Sequence, residues 1–177
     1  MKKIKHIWQV AGFFFSSIVG VLLHFLYDWT GKRILAALFS AVNESIWEHM
    51  KILFFSLLFF SIIQDKFSEK TDEKFWYAKL VGIMMGVLLI PMIYYTYTGV
   101  FGISLDWFNI FIFFIAVAVS YYIEIKIMQS TQEMCVSQET AKSVLYLVAV
   151  VFMLFTLFPL RIMLFQDPVT GTYGIEK

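Results

Sequence analysis

Charged residues are scarce in this chain. Asp, Glu, Lys and Arg make up 15% of its 177 residues, where a soluble domain carries roughly a quarter. Such a chain has too little polar surface to face water on all sides. Cysteine is almost absent too: Cys135 stands alone, so no intrachain disulfide forms and a single chain cannot build a thiolate metal cage. The formal net charge of +1 gives no reason to expect a nucleic-acid partner. No Gly-rich phosphate loop, HExxH pair or GxSxG elbow occurs, which removes the common catalytic frameworks of soluble enzymes.

What is present is apolar. Hydrophobic residues make up 60% of the chain and aromatic residues 19%, and mean hydropathy is +0.76. A helix crosses a hydrocarbon core of about 30 Å with about 20 apolar residues. Stretches 7–28, 75–97, 107–127 and 141–163 reach that length with few charges. A fifth, 43–63, is long enough but opens on Glu44, Glu48, His49 and Lys51. The fold class expected is therefore all-α, an integral membrane helix bundle of about five transmembrane helices in a single domain over 1–177. Segment 33–42 is too short to span and is expected as a re-entrant or interfacial helix, and 164–177 as an outer C-terminal loop.

The basic start resembles a signal-peptide n-region, but the apolar run that follows exceeds about 15 residues and meets Asp28-Trp29, not a small-residue cleavage site, so a retained first span is expected. Lysine distribution sets the expected orientation. Lys2, Lys3, Lys5, Lys66, Lys70, Lys74, Lys126 and Lys142 fall in segments on one side, against Lys32, Arg33 and Lys177 on the other. The N-terminus is thus expected inside and the C-terminus outside. Trp8, Trp29, Trp76 and Trp107 fall at span ends, where headgroups favour amphipathic rings. Gly82 and Gly86 form a GxxxG pattern expected to seat a neighbouring helix of the same chain. Pro91 and Pro159 are expected to kink their helices.

Polar residues gather at the outer ends of the first two spans. Ser17, Gly20, His24, Asp28 and Gly31 share one face of the first, and His24 and Asp28 are i,i+4 neighbours. The second opens Asn43-Glu44-Ser45-Ile46-Trp47-Glu48-His49-Met50-Lys51, with Asn43 the expected N-cap. Helical spacing puts Glu44, Glu48 and Lys51 on one face and His49 about 100° away. Ionisable groups at membrane depth cost about 2.5–3.5 kcal/mol each even on a lenient scale, so these must be paired, hydrated or liganded. Glu124 and Lys126, near the inner end of the fourth span, are expected to reach the interface or pair locally. Arg161 and the loop residue Asp167 emerge on the outer face, where the Asp167-Pro168 and Thr170-Gly171 turn pairs suggest an ordered loop able to cap a pocket.

Three readings of the cluster stand side by side. One is an ion-pair network, Glu48 with Lys51 or Arg161 and His24 with Asp28. A second is a divalent metal site, zinc or manganese, held by His24, Asp28, Glu48 and His49, with Glu44 an alternative carboxylate; neighbouring Glu48 and His49 diverge, which strains that set. The third is an outward-facing pocket of His24, Asp28, Asn43, Glu44, Glu48, His49, Lys51, Arg161 and Asp167 for a small solute, with the short helix before Asn43 as the broken element that frames it. Function is expected in the same terms: small-solute binding or transport first, a metal-dependent membrane hydrolase second, a structural or partner-binding subunit third. The expected partners are the lipid bilayer, a small-molecule ligand, and a membrane protein or second copy.

The segments Leu22–Trp29, Val42–Lys51 and Phe165–Ile175 together resemble an uncharacterised family of small bacterial polytopic membrane proteins carrying HxxxD and NESxWEHxK motifs. The resemblance covers most of the chain. It implies a multi-pass protein of a bacterial cytoplasmic membrane and no particular activity. Leu38-Phe39-Ser40 and Asn43-Glu44-Ser45-Ile46-Trp47-Glu48-His49 are loosely similar to the Asn-Glu-Thr segment of progestin and adiponectin receptor proteins. This chain lacks two residues within that segment, has five expected spans, not seven, and has no matching histidine set near its end.

Overall fold

The computed structural model describes residues 2–68 and 73–175. Lys70 and Lys177, and the side chains of Lys2, Lys3 and Lys5, which enter the lysine count above, lie outside the described residues, as does part of the 64–74 connector. The protein is all-α: α1 (Lys2–Trp29), α2 (Ile34–Ala37), α3 (Ile46–Phe67), α4 (Phe75–Phe101), α5 (Asp106–Gln129) and α6 (Gln138–Leu157), then a 3₁₀ turn, Met163–Phe165. Five of the helices are long and apolar enough to cross a membrane.

Helix α3 is the axis of the bundle. Its most apolar window is 72% buried, against 44% or less in the other four long helices, and it packs on α1, α4, α5 and α6. Phe54, Phe55, Leu53 and Leu57 fill the space around it. The outward faces of α1 and α6 carry exposed Ile7, Phe14, Leu147 and Leu154, which is the order of polarity that lipid selects.

Helices α4 and α5 form the closest pair. A Cβ on Gly86 would stand 2.0 Å from Ser120 Oγ, and one on Gly82 would stand 2.6 Å from Glu124 Cγ. The GxxxG pattern therefore seats α5 within the chain, as expected. At this end of the bundle Lys79 Nζ donates to Glu124 Oε2 at 2.6 Å, with Lys79 also over the rings of Phe60, Phe75 and Tyr121. Glu124 is thus neither interfacial nor locally paired: its partner lies on the neighbouring helix, and both side chains are buried. Lys126 remains exposed.

Several boundaries differ from expectation for physical reasons. Helix α3 begins at Ile46, not Asn43, because Ser45 is its N-cap and Ser45 Oγ accepts from Glu48 N at 3.4 Å. Ser45-x-x-Glu48 has the capping-box spacing, and Asn43 Oδ1 instead accepts from Ser45 N at 3.0 Å. The short α2 is a single turn, with Ser40 Oγ capping back on Ala36 O. Helix α6 stops at Leu157 rather than continuing to 163, since the residue before Pro159 is driven out of the helical region. Pro159 thus ends a helix, whereas α4 runs through Pro91.

Candidate metal centre and adjoining pocket

Three segments meet at one end of the bundle: the last turns of α1, the approach to α3, and the C-terminal loop. The capping at Ser45 leaves Glu44 just outside α3, where its backbone does not follow the helix. Its carboxylate turns toward α1. His24 Nε2 lies 3.5 Å and His49 Nε2 3.7 Å from the same oxygen, Glu44 Oε2, and the two imidazole rings are 5.5 Å apart between centroids. Among the described residues, these three side chains form the one group of three His, Cys, Asp or Glu whose ligand atoms converge, all within 4.8 Å of one another. Two ligands at about 2.0–2.2 Å from a tetrahedral zinc would stand roughly 3.3–3.6 Å apart, close to the 3.5 and 3.7 Å that separate the two histidines from Glu44.

The His49 tautomer follows from its neighbour. His49 Nδ1 lies 2.9 Å from Ser45 O, and a carbonyl can only accept, so Nδ1 carries the proton and Nε2 offers its lone pair. Nε2 therefore faces Glu44 Oε2 acceptor to acceptor, an arrangement that a shared cation relieves. The same backbone contact is the outer support that metal-bound histidines commonly have. The His24 imidazole beside it holds the Glu44 carboxyl below its ordinary range. The trio stays accessible, at 27% exposure for His24, 48% for Glu44 and 19% for His49.

Glu48 and Lys51 form a separate unit. Lys51 Nζ lies 2.5 Å from Glu48 Oε2 and donates to Thr156 Oγ1 at 2.7 Å and to Ala37 O at 2.9 Å. Glu48 Oε2 also accepts from Val42 N at 3.0 Å, and Glu48 Oε1 from Thr156 Oγ1 at 3.2 Å. Lys51 is 0% exposed and Glu48 2%. This pair bolts α2, the 38–45 segment and α6 to α3, with every cationic hydrogen satisfied. Its divergence from His49 is the one the helical spacing implied.

The remaining expected site residues are placed as follows. Asp28 is exposed at the end of α1 and outside the trio. Arg161 is exposed beyond the end of α6. Asn43 Nδ2 donates to Gly174 O at 3.1 Å, and Asp167 Oδ2 accepts from Glu44 N at 3.4 Å while Oδ1 accepts from Val169 N at 2.7 Å. The C-terminal loop is thereby tied to both sides of Glu44. Phe165 anchors it, stacked on Trp47 at 4.5 Å.

Beside the trio lies a cavity of about 620 Å³, lined by residues of α1, α3, α4, α5 and the C-terminal loop, including His24, Glu44, His49 and, from the loop, Pro168 and Val169. Its rim carries Tyr94, Ser104, Asp106 and Asn109, none of which had been singled out as a site residue. Asn109 is oriented by Tyr97, whose hydroxyl donates to Asn109 Oδ1 at 2.5 Å. The Asp106-x-x-Asn109 spacing at the start of an apolar helix was the available signal, since i,i+3 residues share a face.

Residues 1–175 match the model of a family described as "Family of unknown function (DUF6512)". No curated protein and no solved structure matches the chain.

Proposed function

The chain belongs to this family of unknown function, and from that premise we propose that it is a metal-dependent hydrolase of the membrane, with His24, Glu44 and His49 holding one zinc or manganese ion. The observation that carries this reading is the convergence of the three ligand atoms within 4.8 Å, beside a cavity they help to line. Two imidazoles and one carboxylate are a donor set of catalytic zinc, in which a fourth position holds water. Held there, such an ion would lower the pKa of a bound water and polarise a carbonyl or phosphoryl oxygen. For a carboxylic ester, the water oxygen bonds to the acyl carbon and the bond from that carbon to the alkoxy oxygen breaks. One water proton ends on the leaving alcohol; the other is released as the new acid ionises.

Solute transport has less support. The broken element that would frame a solute path, α2, has its Ala37 carbonyl occupied by the Lys51 ammonium, and the Glu48–Lys51 pair closes on itself. The lysine bias in the loops supports placing the trio at the outer face of a cytoplasmic membrane, N-terminus inside.

The test is elemental analysis of the purified protein beside a His24→Ala/His49→Ala variant, both prepared with zinc and manganese supplied. Near-stoichiometric metal is expected in the parent, and loss of it in a variant that still folds. Ester hydrolysis by the parent should fall with a chelator and return with metal. A metal-free parent under these conditions would overturn the reading.

A further inference from the structure

We infer that the substrate of this centre is an acyl-chain amphiphile that enters sideways from the lipid, between α1 and α5. The inference rests on the metal reading for its chemistry and on the cavity for its substrate class. The cavity has two unlike ends. One holds His24, Glu44 and His49 with the polar rim of Ser104, Asp106 and Asn109. The other runs down into the bundle as far as Ile52 and Ile90. At 1.5 Å per residue, Ile90 lies about 16 Å below the Phe101 end of α4, near the middle of a hydrocarbon core about 30 Å thick. A water-borne polar solute has no use for an apolar shaft of that depth; a hydrocarbon chain fills it.

The side wall gives the route. Val21 and Phe25 are i,i+4 neighbours on α1, and Ile110 and Phe114 are i,i+4 neighbours on α5; all four line the cavity. Val21 is 42%, Phe25 46% and Ile110 60% exposed. All of them lie within helices long and apolar enough to span, so the medium touching this wall is lipid. A cavity of about 620 Å³ lies in the range of pockets that enclose one small organic ligand, about 300–1,000 Å³. An amphiphile seated here has its chain among Ile52, Ile90 and Phe114, and its polar linkage beside His24, Glu44 and His49. The loop residues Pro168 and Val169 cover the headgroup end.

The experiment uses the full chain in lipid nanodiscs with zinc supplied. The probe is a long-chain fatty-acyl ester carrying a mid-chain diazirine. Cross-linked positions are mapped by mass spectrometry, and metal content is measured on the same samples. Labelling at Val21, Phe25 and Ile110 is expected to exceed labelling at Leu147 and Leu154, lipid-facing residues of α6, by several-fold, and to fall when unlabelled ester competes. Val21→Trp and Ile110→Trp, both at exposed positions, should cut the labelling while metal content persists. Equal labelling of both faces, indifferent to competitor, would overturn the inference even with the metal in place. Selective, competed labelling of a metal-free protein would uphold amphiphile binding and remove the metal reading alone.

Discussion

Replacing Lys51 by Met tests whether the Glu48–Lys51 unit is a structural bolt distinct from the proposed metal site. The ammonium makes three contacts, with Glu48 Oε2, Thr156 Oγ1 and Ala37 O, at 2.5, 2.7 and 2.9 Å. Methionine keeps an unbranched apolar stem, one heavy atom shorter than lysine, and removes all three. Glu48 keeps the Val42 N–H and the Thr156 hydroxyl, but its carboxylate, 2% exposed, loses the opposing charge. Breaking one side of a buried pair costs about 3–5 kcal/mol. Adding Glu48→Gln removes the stranded charge, so Lys51→Met/Glu48→Gln should recover most of the loss, since replacing both partners of a buried pair is often near neutral. The assay is unfolding of the purified protein in mixed micelles with rising SDS, followed by tryptophan fluorescence. Metal content of the folded Lys51→Met protein should match the parent, because neither Glu48 nor Lys51 belongs to the converging trio. A single variant within about 0.5 kcal/mol of the parent, or a double variant no better than the single, would refute the argument.

Two further outcomes rest on the geometry of Glu44 and of Gly86. The Glu44 carboxyl is held below its ordinary value of 4.5 chiefly by His24, so its contribution to the metal-free fold is fully present above pH 4.5 and lost as pH falls through the lowered value. Acid titration of stability should therefore show a step below pH 4.5 that Glu44→Gln abolishes; a step unchanged in Glu44→Gln would assign it elsewhere. Gly86→Val places a side chain where the first carbon already stands 2.0 Å from Ser120 Oγ and 3.0 Å from Ala116 O. It should destabilise by about 1–3 kcal/mol or more in the same SDS titration, with little effect expected from a valine at exposed Gly99, where no atom lies within 4 Å.

Much of the architecture was legible in the residues because lipid imposes a simple rule. A chain with 15% charge and runs of about 20 apolar residues has helices as its available spanning form, and the five long helices follow. On the small and polar face of α1, Ser17 and Gly20 point inward as spacing required, a Cβ on Gly20 standing 2.2 Å from Phe113, whereas Asp28 and Gly31 at its outer end are exposed. The C-terminal loop also announced itself through its turn pairs and Phe165.

The choice among carboxylates was decided only in three dimensions. Asp28, Glu44 and Glu48 are alike in charge and all lie near His24 or His49 in sequence, and periodicity grouped Glu44 with Glu48. A single hydrogen bond, Ser45 Oγ with Glu48 N, starts the helix two residues past Glu44. That frees Glu44 to face both imidazoles and commits Glu48 to Lys51. The Lys79–Glu124 pair likewise joins residues 45 apart in sequence, a distance no local pattern spans. Composition and periodicity determine which segments enter the membrane, since burial in lipid acts on each segment by itself. Which polar groups meet inside depends on caps and helix packing between distant segments, and that is settled by the tertiary structure.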